Sequence, residues 1–299
     1  MIKTESVTKT FEGFTALKDL TCSIPTGCIY GLVGSNGAGK STFLRLVTGI
    51  YKPDSGAVTI ENEKVWENPI AKNKFVFVPD DLYFLGQASM NRMAKLYKSV
   101  YKDFSDERYK NLTESFGLDP KKNIGSFSKG MKRQAATILA LSCRPQYLFF
   151  DETFDGLDPV MRNLVKNVIY SDVCERNATA VITSHSLREL EDTCDQLTLL
   201  HKGGIIFESD VQNLKTSLFK VQVAYDYEYD KELFEGINML SYNKKGRVSS
   251  FIVRGDRDVT MAKLKEMGPV LLDLLSLSLE EVFVYEMEAL GYAFKDVLM

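Results

Sequence analysis

The chain has 299 residues, of which 44% are hydrophobic and 26% charged, and it carries a formal net charge of -3. It is long enough for one large domain or two modest ones, and too apolar to be disordered. The near balance of 37 Lys and Arg against 40 Asp and Glu excludes a strongly basic nucleic-acid binder. Its 5 cysteines, an odd number with no C-x-x-C pair, fit free thiols in a reducing compartment.

The opening MIKTESVTKTF lacks the apolar core of a secretion signal. Further on, CIYGLV (28–33) is a short apolar run that predicts a buried strand, followed by a loop and a helix over 40–48. The loop reads GSNGAGKST (34–42). Its glycines let backbone N–H groups turn inward around phosphates, and the following helix N-terminus adds partial positive charge. Lys40 is placed to reach the β and γ phosphates, and Ser41 to offer its hydroxyl to Mg²⁺.

From about 87 to 142 the pattern is mostly helical. Met90, Met93, Tyr97, Val100 and Tyr101 recur at helical spacing, as do Tyr109, Leu112 and Phe116, and these stripes read as core. The basic pairs Lys121–Lys122, Lys132–Arg133 and Lys244–Lys245 read as solvated surface. A second buried strand, YLFF (147–150), ends at Asp151–Glu152. There Asp151 can hold Mg²⁺ through water, and Glu152 can act as a general base on a water aimed at the γ phosphate. A third, ATAVIT (178–183), ends at Ser184–His185. All three runs carry their polar residues at the C-terminal end, where open parallel sheets bind ligands.

The character changes from about residue 215. Phe219, Val221, Val223, Tyr225, Tyr227 and Tyr229 alternate strictly, which predicts one strand with a buried face. A turn at 243–246 joins two strands, 239–242 and 248–253. A helix over 259–267 and a strand over 270–275 follow. Ser278 and Glu281 form a capping box for a last helix running to about Leu290. The most apolar late run, VLLDLLSLSL (270–279), contains Asp273 and is too short to cross a bilayer, so any membrane span must come from another chain.

Taken together and in order, GSNGAGKST, FSKGMKRQ (127–134), LFFDE, GLDP (156–159) and ITSH (182–185) resemble the ABC ATPases over roughly the first 210 residues. SKGMK and SLEEVF (278–283) are similar to the ATP-binding subunits of ABC-2-type bacterial exporters. The resemblance implies an α/β P-loop NTPase fold with a mostly parallel sheet. The ATPase domain would span 1–214, with a helical subdomain at about 84–145, and a small α+β accessory domain would span 215–299.

It implies ATP and Mg²⁺ as cofactors. ATP would contact Phe11, which stacks on adenine, and Ser35, Asn36, Gly37, Ala38, Gly39, Lys40, Ser41 and Thr42. Glu152, His185 and Lys40 would carry catalysis, with His185 donating a hydrogen bond to the γ phosphate. Ser41, Asp80 and Asp151 would hold the metal. Two copies, in a homodimer or a heterodimer with a similar ATPase, would close head to tail. Ser128, Lys129, Gly130 and Met131 of one copy would then face the ATP of the other, and Asp155, Gly156, Leu157 and Asp158 would cross the interface, Asp158 coupling the two sites.

A separate transmembrane permease would hold the chain at the cytoplasmic face of the membrane and export a peptide or drug; no nucleic acid is expected. The alternative is a soluble ABC ATPase that remodels nucleic acid or ribosomes. The accessory domain either supports dimerisation, binds a regulator or packs inertly.

The pattern departs from the family at four positions. Asp80 stands where the family has Gln or often Glu. Thr153 stands for Pro and Asp155 for a small polar residue. Lys129 replaces the first signature glycine, and a cation there either complements phosphate charge or faces solvent.

Overall fold

The computed structural model describes residues 1–289. The expected end of the last helix at Leu290, and the rest of the expected accessory domain to 299, lie outside the described residues. The chain packs as two compact units divided between Glu208 and Ser209. The sequence boundary at 214/215 falls later because the helix that opens the second unit starts earlier, capped by Asp210 on the backbone N–H groups of Gln212 and Asn213.

In the first unit, β1 (Ile2–Phe11), β2 (Phe14–Ile24), β3 (Ile29–Val33), α1 (Lys40–Val47), β4 (Ser55–Ile60), β5 (Glu63–Lys64), α2 (Pro69–Lys72) and β6 (Phe75–Val78) come first. Three longer helices follow, α3 (Met90–Val100), α4 (Asp106–Ser115) and α5 (Lys129–Ser142). Then come β7 (Tyr147–Phe150), α6 (Pro159–Arg176), β8 (Thr179–Ser184), α7 (Leu187–Glu191), β9 (Gln196–His201) and β10 (Gly204–Asp210).

The central sheet has the order β10-β9-β3-β8-β7-β6. β3 runs parallel to β8 and β9, and β7 parallel to β8 and β6. Every residue of β3, β7 and β8 is buried, as expected of strands covered on both faces. A second sheet, β2-β1-β4-β5, is antiparallel. Its inner side chains Ile2, Leu17, Ile24 and Ile60 pack into one core with Tyr30, Phe43 and Phe149. In the helical region Met90, Met93, Leu112 and Phe116 are buried as their spacing predicts, whereas Val100, at the end of α3, is exposed.

The second unit contains α8 (Val211–Ser217), β11 (Leu218–Ala224), β12 (Met239–Lys245), β13 (Val248–Arg254), α9 (Arg257–Glu266), β14 (Leu271–Leu275) and α10 (Leu279–Ala289). Its sheet, β12-β13-β11-β14, is antiparallel.

Two expectations change here. The aromatic run does not stay extended to Tyr229. β11 ends at Ala224, because its partners begin there, with Ala224 paired to Val248 on one side and Leu271 on the other. Beyond it Tyr225 and Tyr229 fold inward, rings edge-to-face with centroids 4.9 Å apart, and the Tyr229 hydroxyl donates to the Arg247 carbonyl at 2.8 Å. The hairpin turn is also tighter than 243–246. Pairing runs through Lys245 and Val248, so only Gly246 and Arg247 turn, Gly246 with φ 62°.

The capping box forms as expected. Ser278 Oγ accepts from the Glu281 N–H at 3.2 Å, and Glu281 Oε2 accepts from the Ser278 N–H at 3.0 Å. Ser278→Ala is expected to cost the second unit about 1 kcal/mol. Faster amide hydrogen exchange over the first turn of α10 would show the loss; unchanged exchange there would mean that the cap contributes nothing.

Candidate functional site

The loop after β3 is shaped by close approach. A Cβ on Gly34 would sit 2.3 Å from the Leu200 carbonyl oxygen, so only glycine fits there. Gly39, at φ 109°, is the N-cap of α1, and no side chain caps that end. The first-turn N–H groups of the helix therefore face the loop, as an anion site requires. Lys40 is 6% exposed, and its Nζ makes three contacts: to the carbonyls of Gly34 at 2.8 Å and Ser35 at 3.2 Å, and to Glu152 Oε1 at 3.1 Å. Two carbonyls and the Glu152 carboxylate thus surround the ammonium, and a phosphate that takes Lys40 must displace at least one of them.

β7 and β8 deliver the acids and the histidine. Asp151 is fully buried; its Oδ1 accepts from the Thr183 hydroxyl at 2.7 Å, while its Oδ2 is buried without a partner among the described residues. The Thr183 oxygen in turn accepts from the Glu152 N–H at 3.0 Å. This holds Glu152 in a left-handed backbone conformation, φ 48°, which costs a non-glycine residue energy and is characteristic of functional sites. Glu152 Oε2 lies 2.9 Å from His185 Nδ1. A carboxylate only accepts, so Nδ1 carries the proton, and Nε2 can donate to a phosphate only as part of an imidazolium ion.

A cleft of about 300 Å³ opens here. Phe11, Phe14, Asn36, Gly37, Gly39, Lys40, Ser41, Thr42, Asp80 and Glu152 line it, whereas Ser35 and Ala38 support the loop from outside the lining. Phe11 is 37% exposed, meets Tyr51 edge-to-face at 5.2 Å and has the Lys9 ammonium over its ring at 5.4 Å.

Asp80 differs most from its sequence expectation as a metal ligand. Its Oδ1 accepts from Arg133 Nη2 at 2.7 Å, and Arg133 Nη1 also donates to the Pro79 carbonyl at 3.0 Å. Arg133 is 1% exposed, so the reading of Lys132–Arg133 as solvated surface fails for its second member. Adjacent helix positions point about 100° apart, and Arg133 faces inward.

Ser128 is the N-cap of α5 and accepts from the Met131 N–H. Of its two open alternatives Lys129 takes the solvent-facing one, 70% exposed, and there it pairs with Asp155 at 2.6 Å. That pairing holds the Asp155 carboxyl below the usual range. Gly156 turns at φ 73°, Leu157 is buried, and Asp158 caps α6 on the N–H groups of Val160 and Met161. The signature residues 128–131 do not line the cleft of their own chain.

Sequence reasoning missed Arg133, Thr183 and Phe14. Thr183 had a signal, being two residues before His185 in ITSH; Arg133 had none local to it.

The chain is similar to known proteins in sequence and in fold. The ABC transporter family profile matches residues 17–155. The ABC transporter ATP-binding protein YtrB of Bacillus subtilis (strain 168) is 28% identical over 284 residues, 95% of this chain and 97% of the relative. The bacitracin transport ATP-binding protein BcrA of Bacillus licheniformis is 32% identical over 222 residues, 72% of this chain and 71% of the relative. Among solved structures, the dimeric bacterial ABC transporter cassette MJ0796 is similar in fold, with a TM-score of 0.62 at 24% identity over 71% of this chain and 99% of the cassette.

Proposed function

The chain belongs to the ATP-binding subunits of the ABC transporters, and on that footing we propose that it is the motor of a bacterial exporter. Nucleotide binding and ATP hydrolysis are the activity of its family. The finer reading is that two such chains close head to tail on two ATPs, and that a separate permease follows their motion to export an amphipathic peptide or drug. BcrA, a bacitracin transport protein, and the dimeric cassette support that reading by likeness.

One observation carries the site assignment: Glu152 joins Lys40, by an ion pair, to His185, by a hydrogen bond, beside the buried, half-satisfied Asp151. The phosphate loop binds the polyphosphate, Lys40 neutralises it, and Phe11 supports the base. Glu152, released from Lys40 by phosphate, accepts a proton from the attacking water. Magnesium fits: Asp151 Oδ2 is a buried carboxylate oxygen without a partner among the described residues, and Ser41 lines the cleft together with Glu152, the residue next to Asp151. When bound, the ion neutralises phosphate charge. The signature residues, off their own cleft, belong in this reading to the site of a second copy.

The test is purification from native membranes. A multi-span protein is expected to co-purify in stoichiometric amounts and, once reconstituted with the chain, to raise ATP turnover several-fold. Recovery on ribosomes without such a protein would overturn the exporter reading in favour of a remodelling ATPase.

A further inference from the structure

Three charged residues stand where the family carries neutral or different ones, and each finds its partner across one helix. Lys129 and Arg133 are four residues apart, on one face of α5. Lys129 holds Asp155, in the loop after β7, at 2.6 Å. Arg133 holds Asp80, in the loop after β6, at 2.7 Å, and its other nitrogen donates to the Pro79 carbonyl and approaches the Asp151 carbonyl at 3.4 Å. We propose that Lys129 and Arg133 are positioning residues for ATP hydrolysis, fixing the Asp155 loop and the Asp80 loop to the first two turns of α5.

The electrostatics favour this over coincidence. A cation in the first turn of a helix opposes the helix dipole and needs a nearby anion. A guanidinium that is 1% exposed needs one more urgently. Both anions come from segments flanking the nucleotide cleft, and Asp80 lines the cleft itself.

Backbone contact reinforces the join. A Cβ on Gly130 would lie 2.7 Å from the Gly156 carbonyl oxygen, so α5 and the Asp155 loop touch directly beside the exposed ion pair. The stem of Lys129 lies along Gly156, with Cδ 3.5 Å from where a Cβ would stand. A shift of α5 therefore moves Asp155, Asp80 and the backbone of Asp151 together. The two ion pairs give one helix a grip on two of the segments that flank the cleft.

The inference rests on the ATPase reading, and its test separates the two. Steady-state ATP turnover of the full chain with Mg²⁺ is measured for Lys129→Asp, Asp155→Lys and the exchange carrying both. Each single variant is expected to lower kcat about tenfold with KM within about twofold, the signature of lost positioning. The exchange should restore kcat to within about threefold of wild type.

Single variants with wild-type kcat would overturn the proposal. So would an exchange no better than the worse single variant, which would place Lys129 on a phosphate instead of on Asp155. For the buried half, Arg133→Gln with Asp80→Asn, a neutral pair of similar size, should exceed either single variant in kcat; a double variant worse than both would remove Arg133 from the proposal. A wild-type chain with no Mg²⁺-dependent turnover would remove the ATPase reading, and this inference with it.

Discussion

Glu152→Gln is expected to lower ATP turnover about 100- to 10,000-fold, the range for loss of a positioned general base. Gln is nearly isosteric: its carbonyl oxygen keeps the contact to Lys40, and its amide donates to His185 once the imidazole carries its proton on Nε2 in place of Nδ1. ATP binding should therefore survive. The variant would hold ATP without cleaving it and, in the head-to-tail reading, would accumulate as an ATP-bound dimer. Phosphate release and equilibrium nucleotide binding, measured side by side, separate the outcomes. Wild-type turnover in the variant would show that Glu152 is not the base. Lost binding would show that the charge of Glu152 serves mainly to shape the loop through Lys40.

Asp172→Ala is expected to destabilise the first unit by roughly 3 kcal/mol, because it strips a buried anion from two guanidinium groups. The Asp172 side chain is 1% exposed and lies between Arg108 of α4 and Arg176 of α6. Arg176 pairs with its Oδ2 at 2.7 Å and also donates to the Arg144 and Pro145 carbonyls. Arg108 and Arg176 are 23% and 17% exposed, so water can recover part of the loss, which sets the expectation at the lower end for a broken buried pair. Urea unfolding monitored on the first unit gives the measurement. A change under about 1 kcal/mol would rank the cluster with ordinary surface pairs.

The phosphate-binding half of the site was legible because its logic is local. A strand, a glycine turn and a helix start lie within one short stretch, and the apolar runs before Asp151 and His185 mark the ends of buried strands. Arg133 was not legible, since its acid lies 53 residues away and a Lys–Arg pair on a helix looks solvated whichever member points inward. The antiparallel sheet was hidden for a different reason. β1 slips register after Thr4 and again after Val7, with Ser6 at φ 48°, so its side chains lose the period of two that marks a strand. β11 erred the other way: its aromatic alternation continues past the point where partner strands exist to pair with it. Periodicity reports which face a side chain wants, not how far the backbone finds a neighbour.

The order β3-β8-β7-β6 makes the sheet a ruler. Lys40 follows β3, His185 follows β8, Asp151 and Glu152 follow β7, and Asp80 follows β6. Neighbouring strands stand about 4.8 Å apart, so the strands that lead to the lysine and to the base, β3 and β7, lie two strand spacings, about 10 Å, from each other, an interval set by backbone hydrogen bonds and not by side chains. Residues beyond the strand ends can then differ without altering that interval. The measuring edge stays constant while the parts fastened to it are free to be refitted.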